Sequence, residues 1–479
     1  MKGSRLVFLF HLNSQLVSKS NFNRQFILGI TLVSAMGGLL FGYDWVVIGG
    51  AKPFYERFFD VTNSPHLQGW AMSSALIGCL IGAMGSGYLS DRLGRKKPLI
   101  VAAALFTIAA IGTGSVNHFA PFIIYRLIGG LGIGLASAIS PMYIAEISPA
   151  AMRGRLVSVN QLTIVIGILA AQIINYLIAE AVPVGATDEY ILNSWNGQTG
   201  WRWMFWAGTV PAAFFFVFSF FIPESPRFLA KSGKPEAAFS ILKRIGGHDY
   251  ATQEQKEIVE TLHGTDSKID WKMLSSKKVR PVLVLGIVLA VFQQWCGINV
   301  IFNYAEEIFT SAGYSVGDML FNIVITGTVN LIFTLLAMRM VDSWGRRKLM
   351  LLGSMGLAMI YLMLGTSYFF ELKGLVVLVL VMIAIATYAM TLAPITWVVL
   401  SEIFPNSIRG AAMAIATTAL WIACFVLTYT FPILNKLLNA SGTFWLYAFI
   451  CLAGLLFILK KLPETKGKSL EEIENKFTH

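Results

Sequence analysis

Asp44, in FGYD, and Arg126, in YRLIGG, are the residues best placed to do chemistry, because each is a charge inside an apolar run of helix length. Each lies about six residues from the same end of its run, on the order of 9 Å deep at the helical rise. An ion at that depth is costly unless it is paired, hydrated or neutralised, so it is a functional candidate by default. Paired, the two could let the carboxylate take up and release a proton as the protein changes conformation. The alternative is an interfacial position for both, with Asp44 beside Lys52 and Arg126 snorkelling outwards; position alone leaves the two readings even.

A second set of residues could bind a neutral polyol. Gln161, Gln172 and Asn175 fall within about 60° on one helical face, and such a stripe inside an apolar run should face a cavity or another helix. Gln293, Gln294 and Asn299 cluster around Gly297 in FQQWCGIN. On an unbroken helix Gln294 and Asn299 diverge by about 140°, so they converge more readily if the helix loosens near Gly297. Amides can donate and accept toward hydroxyls, while rings cover the apolar faces of a sugar. Asn330 adds an amide, and Trp397 and Trp421 are candidate ring platforms. Taken singly, each of these is as well explained by helix packing or interfacial anchoring; their joint occurrence favours a sugar-like site.

A third set suggests mechanical work. Glu146 and Arg153, like Glu402 and Arg409, sit at run ends beside Asp91 with Arg95 and Asp342 with Arg346. Ion pairs of this kind bridge helices, and those present in one conformation act as latches, so gating is preferred to substrate contact here. The glycines of GCLIG and GLGIG fit close helix contacts, and neither run is followed by the Lys-Ser/Thr of a phosphate loop. With no HExxH, GxSxG or metal-ligand spacing, the sequence supports neither an enzyme nor a metal site. The four cysteines lie inside apolar runs without CxxC spacing and are read as packing residues.

These residues need a membrane scaffold. Of 479 residues 56% are hydrophobic and only 13% charged, with a mean hydropathy of +0.65, and the excess is gathered into runs near the ~20 residues a bilayer-spanning helix needs. Twelve spans are read at about 26–49, 67–90, 98–116, 120–144, 156–180, 201–222, 281–305, 317–341, 348–370, 374–400, 409–434 and 442–460. The octet SDRLGRKK at 90–97 returns as VDSWGRRK at 341–348, EISPAAMRG at 146–154 as EIFPNSIRG at 402–410, and PESPR at 223–227 as PETKG at 463–467. Three pairs in one order mark an internal duplication, as transporter folds commonly show.

The expected organisation is a tail (1–25), a six-helix bundle (26–222), a helical linker (223–278), a second six-helix bundle (279–460) and a tail (461–479). In the linker, Pro235 suits a first turn, Ala238, Ile241, Leu242 and Ile245 form a stripe, Gly246-Gly247 would end that helix, and a second helix is expected over 252–262. Residues 1–22, with LVFLF behind Lys2 and Arg5, are taken as a tail or start-site extension rather than a signal peptide. The net charge of +11 gathers in alternate short loops, while Lys52, Arg57, Lys373 and Lys436 lie opposite. By the positive-inside rule both termini and the repeated octets are cytoplasmic, and the basicity is no nucleic-acid signal.

From FGYD through DRLGRKK, YRLIGG, EISPAAMRGR, PESPRFLA, QQWCGIN, DSWGRRK and SEIFPNSIRG to PETKGKSLEEIE, the chain resembles the sugar porter family of the major facilitator superfamily, and within it bacterial D-xylose/proton symporters. The resemblance implies an all-α integral membrane protein of twelve transmembrane helices in two halves. It implies that Asp44 is the proton-coupling carboxylate with Arg126 as its partner, and that Gln161, Gln293, Gln294, Asn299, Asn330, Trp397 and Trp421 contact sugar. Ile168 and Leu420 stand where xylose carriers resemble one another in having glutamine, and Asn303 replaces a tyrosine, so xylose, arabinose, glucose and galactose all stay open.

The function expected is proton-coupled monosaccharide symport in a bacterial inner membrane, with no cofactor beyond the proton, no nucleic-acid partner and an oligomeric state compatible with a monomer. Facilitative uniport is the same-fold alternative. A membrane sugar sensor ranks last, because only about 19 residues follow the last span.

Overall fold

The computed structural model describes residues 22–183, 185–263, 276, 279–372, 374–404 and 409–464. Among them the regular elements are helices. The first six spans are Arg24–Phe58, Pro65–Leu93, Lys96–Ser115, Phe119–Ile147, Arg153–Ile178 and a sixth made of Trp201–Ala207 and Thr209–Ser219, divided at Gly208. The second six are Arg280–Asn303, Val316–Trp344, Arg346–Phe369, Leu375–Ile403 and two within Arg409–Lys461, divided at Asn439, whose φ is 58°. Ten helical stretches of the described residues are long and apolar enough to cross a bilayer, the eleventh and twelfth spans counting as one and the sixth being too fragmented to count.

Local sequence explains where these helices begin and turn. Asn23 accepts the amide of Phe26, and Ser64 accepts that of Leu67 with Pro65 in the first turn, both ordinary N-terminal caps. In each repeated octet the glycine has positive φ, 85° at Gly94 and 87° at Gly345, which reverses the chain between two long helices. A Cβ on Gly94 would meet Glu224 at 2.2 Å, and one on Gly345 would meet Glu464 at 2.8 Å. The octet and the Glu224 or Glu464 segment therefore meet at one corner of each half.

Small residues set the helix contacts. A Cβ on Gly130 would lie 1.9 Å from the carbonyl of Ala75, and one on Gly78 2.2 Å from that of Leu127, so the second and fourth helices touch backbone to backbone. Gly42 and Gly167 do the same for the first and fifth. Large apolar side chains such as Leu177 (72% exposed) and Phe221 (78%) cover the outside. That distribution suits a lipid solvent.

The first helix runs two turns past its expected end at 49, because Pro53 is accommodated inside it and the outer turns are buried against other helices. Lys52 and Arg57 are consequently helical, as is Lys436, while Lys373 lies outside the described residues. In the linker, Ser225 caps Pro226–Lys231, and Pro235–His263 breaks at Gly247 (φ 85°). Ile245 packs with Ile27, Ile144 and Leu156, and Arg244 covers the Phe26 ring at 4.2 Å, so that edge of the stripe docks on the first half, while Leu242 packs with Ala251 and Ile258 within the linker.

The halves meet along the second helix with the eleventh, the fifth with the eighth, and the outer end of the first with the segment after Asn303. At the first contact Trp70 packs edge-on to Phe425 and Tyr429. At the second, Gly327 leaves room for the Gln172 amide.

Candidate functional site

Gly37 of the first helix would bring a Cβ within 3.0 Å of Ala136 and 2.6 Å of Ser140 on the fourth, a close approach that lets Arg126 Nη1 donate to Asp44 Oδ1 over 2.7 Å. The arginine side chain is 3% exposed and the aspartate 20%. Asp44 Oδ2 and Arg126 Nε are buried without partners. Beside them is a cavity lined by Trp45, Met72, Cys79 and Asn303, with room for roughly one water. The pairing removes the competing arrangement of Asp44 with Lys52, whose ammonium is held elsewhere.

The seventh helix breaks where its sequence suggests. Gly297 takes φ 87°, ending Arg280–Trp295 and restarting the chain as Ile298–Asn303. Across the break a chain of side-chain hydrogen bonds forms: Asn299 donates to Gln294 Oε1, Gln294 to Gln293 Oε1 over 2.7 Å, and Gln293 to the Tyr388 hydroxyl over 2.7 Å. All three amides are buried, as is Asn330 on the eighth helix. Such a linked row of amide donors and acceptors has the chemistry to exchange internal hydrogen bonds for contacts with hydroxyls.

The two candidate ring platforms differ in burial. Trp421 is buried, with ring centroids 6.0 Å from Phe41 and 6.3 Å from Trp45 of the opposite half. Trp397 is 38% exposed. Ile168 and Leu420 are buried apolar residues. Nothing in the sequence marks Phe41 or Tyr388 as site residues; for Trp45 the one signal is its place next to Asp44.

The fifth-helix stripe divides. Asn175 donates to the carbonyl of Val47 over 3.0 Å, a helix–helix contact, and Gln172 packs at the half-to-half interface. Gln161 is exposed, yet it shares a face with buried Val165, Ile168, Gln172 and Asn175 and lies opposite lipid-side Ile166, Ile173 and Leu177. Its exposure therefore opens onto the protein interior at the octet end.

The gating candidates form two matching corners. Arg95 binds Glu146 at 2.8 Å while its amide donates to Glu224 over 2.8 Å, and Ser225 donates to the other oxygen of Glu146 over 2.5 Å. In the second half Arg346 binds Glu402 at 3.1 Å while its amide donates to Glu464 over 2.9 Å. Asp91 pairs with Lys231 of the linker at 3.1 Å, and Arg153 donates to the carbonyl of Ala145. The side chains of Asp342 and Arg409 lie outside the described residues.

The family described as "Sugar (and other) transporter" matches residues 30–477. The D-xylose-proton symporter of Escherichia coli K12 is 40% identical, with 95% of this chain and 96% of that protein aligned, and the arabinose-proton symporter of Bacillus subtilis is 41% identical over 94% of each. The solved inward-open conformation of the E. coli xylose transporter superposes with a TM-score of 0.82 at 39% identity, covering 94% of this chain and 99% of that one. The same transporter bound to 6-bromo-6-deoxy-D-glucose gives 0.77 at 40% identity, over 95% of this chain and all of that one.

Proposed function

The chain belongs to the sugar (and other) transporter family, and on that premise we propose that it carries a monosaccharide into the cell together with a proton. It is an integral membrane transporter of the twelve-helix major facilitator fold, not an enzyme. The observation that carries proton coupling is Asp44 itself. One carboxylate oxygen is held by Arg126, and the other faces a cavity without a partner, as a proton acceptor requires.

The sugar is a pentose such as D-xylose or L-arabinose, or a hexose, held by Gln293, Gln294, Asn299 and Asn330 against Trp421, with Gln161 and Trp397 at the opening. Relatives named for xylose and arabinose support that range, and the apolar Ile168 and Leu420 reduce the number of polar contacts. No cofactor is needed beyond the coupling proton. The membrane is a bacterial inner membrane, and the placement of the basic loops supports an orientation with both termini and the repeated octets toward the cytoplasm. In that orientation the contact of the second and eleventh helices shuts the external side while Gln161 opens inward, the inward-facing stage of alternating access. The paired Arg95–Glu146 and Arg346–Glu402 corners keep each half rigid as it rocks.

In proteoliposomes, an imposed proton gradient should drive sugar above equilibrium and sugar should drive alkalinisation outside. Asp44→Asn should lose both and keep sugar exchange. Simple equilibration by the unaltered protein would establish uniport instead, and binding without movement would establish a sensor.

A further inference from the structure

The outer end of the first helix carries a cluster that the transport reading leaves unused. Lys52 is 2% exposed, and its ammonium lies 3.1 Å from Glu56 Oε2, 3.1 Å from Glu306 Oε2 and 2.8 Å from Glu307 Oε1. Lys52 and Glu56 belong to the first helix, whereas Glu306 and Glu307 open the Ala305–Ser311 helix of the other half. Gln68 of the second helix donates to Glu56 over 3.2 Å, and the Tyr304 ring lies 6.0 Å from the ammonium. Glu56, only 5% exposed, turns its carboxylate to Lys52, yet its Oε1 has no partner; nor has Glu307 Oε2.

One ammonium cannot neutralise three carboxylates. The other cations nearby are committed: Arg57 binds Asp188 at 2.8 Å, and Arg126 binds Asp44. The remaining titratable neighbours, Tyr55 and Tyr304, add no positive charge. Fully ionised, the cluster would hold two uncancelled negative charges with Glu56 buried and Glu306 and Glu307 only 15% and 21% exposed, and carboxylates crowded in this way share protons instead. Beyond the end of the seventh span, burial raises the Glu307 carboxyl above its ordinary range; Lys52 pulls against that, and Glu306 and Glu56 add to it.

We propose that Lys52, Glu56, Glu306 and Glu307 form an external lock between the halves and a second proton-binding site, which takes up a proton as the outer mouth closes. The inference rests on the transport reading for which face is external. Lys52 ties the halves together, and the bound proton cancels part of the excess negative charge. When the halves part, water reaches the carboxylates, they ionise, and the proton returns to the outside. This proton is thus not the one carried with sugar. Because the closed form holds more protons than the open one, external acid favours closure and external alkali favours opening.

The test is a distance measurement on the full chain in nanodiscs. Nitroxides at Asn63→Cys and Ser311→Cys would sit at exposed positions on either side of the lock, and the native cysteines are buried. Between about pH 5 and about pH 9, across the ordinary and raised carboxylate range, the closed population should fall as pH rises. Glu306→Gln with Glu307→Gln, nearly isosteric, should stay closed across that range. Lys52→Met should close only at a pH lower by about one unit or more. Asp44→Asn should keep the response. The lock is wrong if the double glutamine variant, shown to bind sugar, retains the unaltered pH profile, or if Asn at 44 alone abolishes it. Coupled uptake with a pH profile unmoved by the glutamines defeats the lock alone; a lock that responds in a protein that moves no sugar defeats the transport reading alone.

Discussion

Arg126 holds Asp44 through one guanidinium nitrogen and one carboxylate oxygen, 2.7 Å apart, and the second oxygen of that carboxylate is buried without a partner. The pair is thus fixed in place yet incompletely satisfied. Removing the arginine should leave an uncompensated buried charge. Arg126→Leu is expected to cost about 3–5 kcal/mol, and adding Asp44→Asn should recover much of it. Thermal unfolding in detergent across the four members of that cycle checks the coupling.

The hydrogen-bonded row from Tyr388 to Asn299 should matter both to sugar and to folding. Gln294→Ala removes one of its two inner members and is expected to weaken sugar binding roughly 10- to 100-fold, about 1.4–2.8 kcal/mol. It also leaves Gln293 Oε1 and the Asn299 amide without these buried partners, so the melting temperature should fall by the equivalent of about 1–3 kcal/mol. Equilibrium binding of labelled sugars reads the first effect and thermal unfolding the second.

Backbone-to-backbone packing gives a sharper stability test. Gly130→Val would force a Cβ into the carbonyl of Ala75, 1.9 Å away, and should cost at least about 1–3 kcal/mol. Gly85, with open space around it, should accept alanine without loss and gain up to ~1 kcal/mol of helix propensity. Melting curves of the two variants should move in opposite directions.

The matched corners predict matched phenotypes. Glu224→Ala and Glu464→Ala each free the amide of an octet arginine, and each should destabilise its corner by about 1.5–3 kcal/mol. If the corners serve the rocking of the halves, both variants should slow uptake while sugar affinity stays within about twofold, less than 0.5 kcal/mol. Rates of counterflow compared with equilibrium binding make the distinction.

The linker offers a pH dependence with a defined sign. Burial raises the Glu254 carboxyl, Glu257 adds to the rise, and Arg153 and the Tyr250 hydroxyl oppose it. A group raised in the folded state contributes stability that is complete below its ordinary value of ~4.3 and lost as pH climbs through the raised value. Docking of the Pro235–His263 helix should therefore weaken as pH rises above that ordinary value, and Glu254→Gln should remove the loss. Hydrogen exchange of residues 248–260 at several pH values reads it directly.

Several of these relationships were visible before any coordinates. Apolar run length marked the spans, and the internal repeats marked two equivalent corners, because both are local or periodic properties. The break at Gly297 was legible because two amides five residues apart could not share a face of an intact helix. Lys52 was not legible. In the sequence it is a topology-setting charge or a partner for Asp44, since hydropathy alone ends the first span before it. Its true partners include Glu306 and Glu307, more than half the chain away. The doublet after Asn303-Tyr304 was the only hint in the sequence.

What the sequence determined by itself is the membrane class, the duplication, the family resemblance and the identity of the charges that bilayer physics makes expensive. What the tertiary structure decided is which of those charges meet. Asp44 could have paired with Lys52 or with Arg126, and the choice depends on how closely the first, second and fourth helices approach. Glycines at their contacts set that approach. Hydropathy is summed residue by residue along the chain, whereas the pairing of buried ions depends on ångström-scale distances between segments that the chain brings together only on folding.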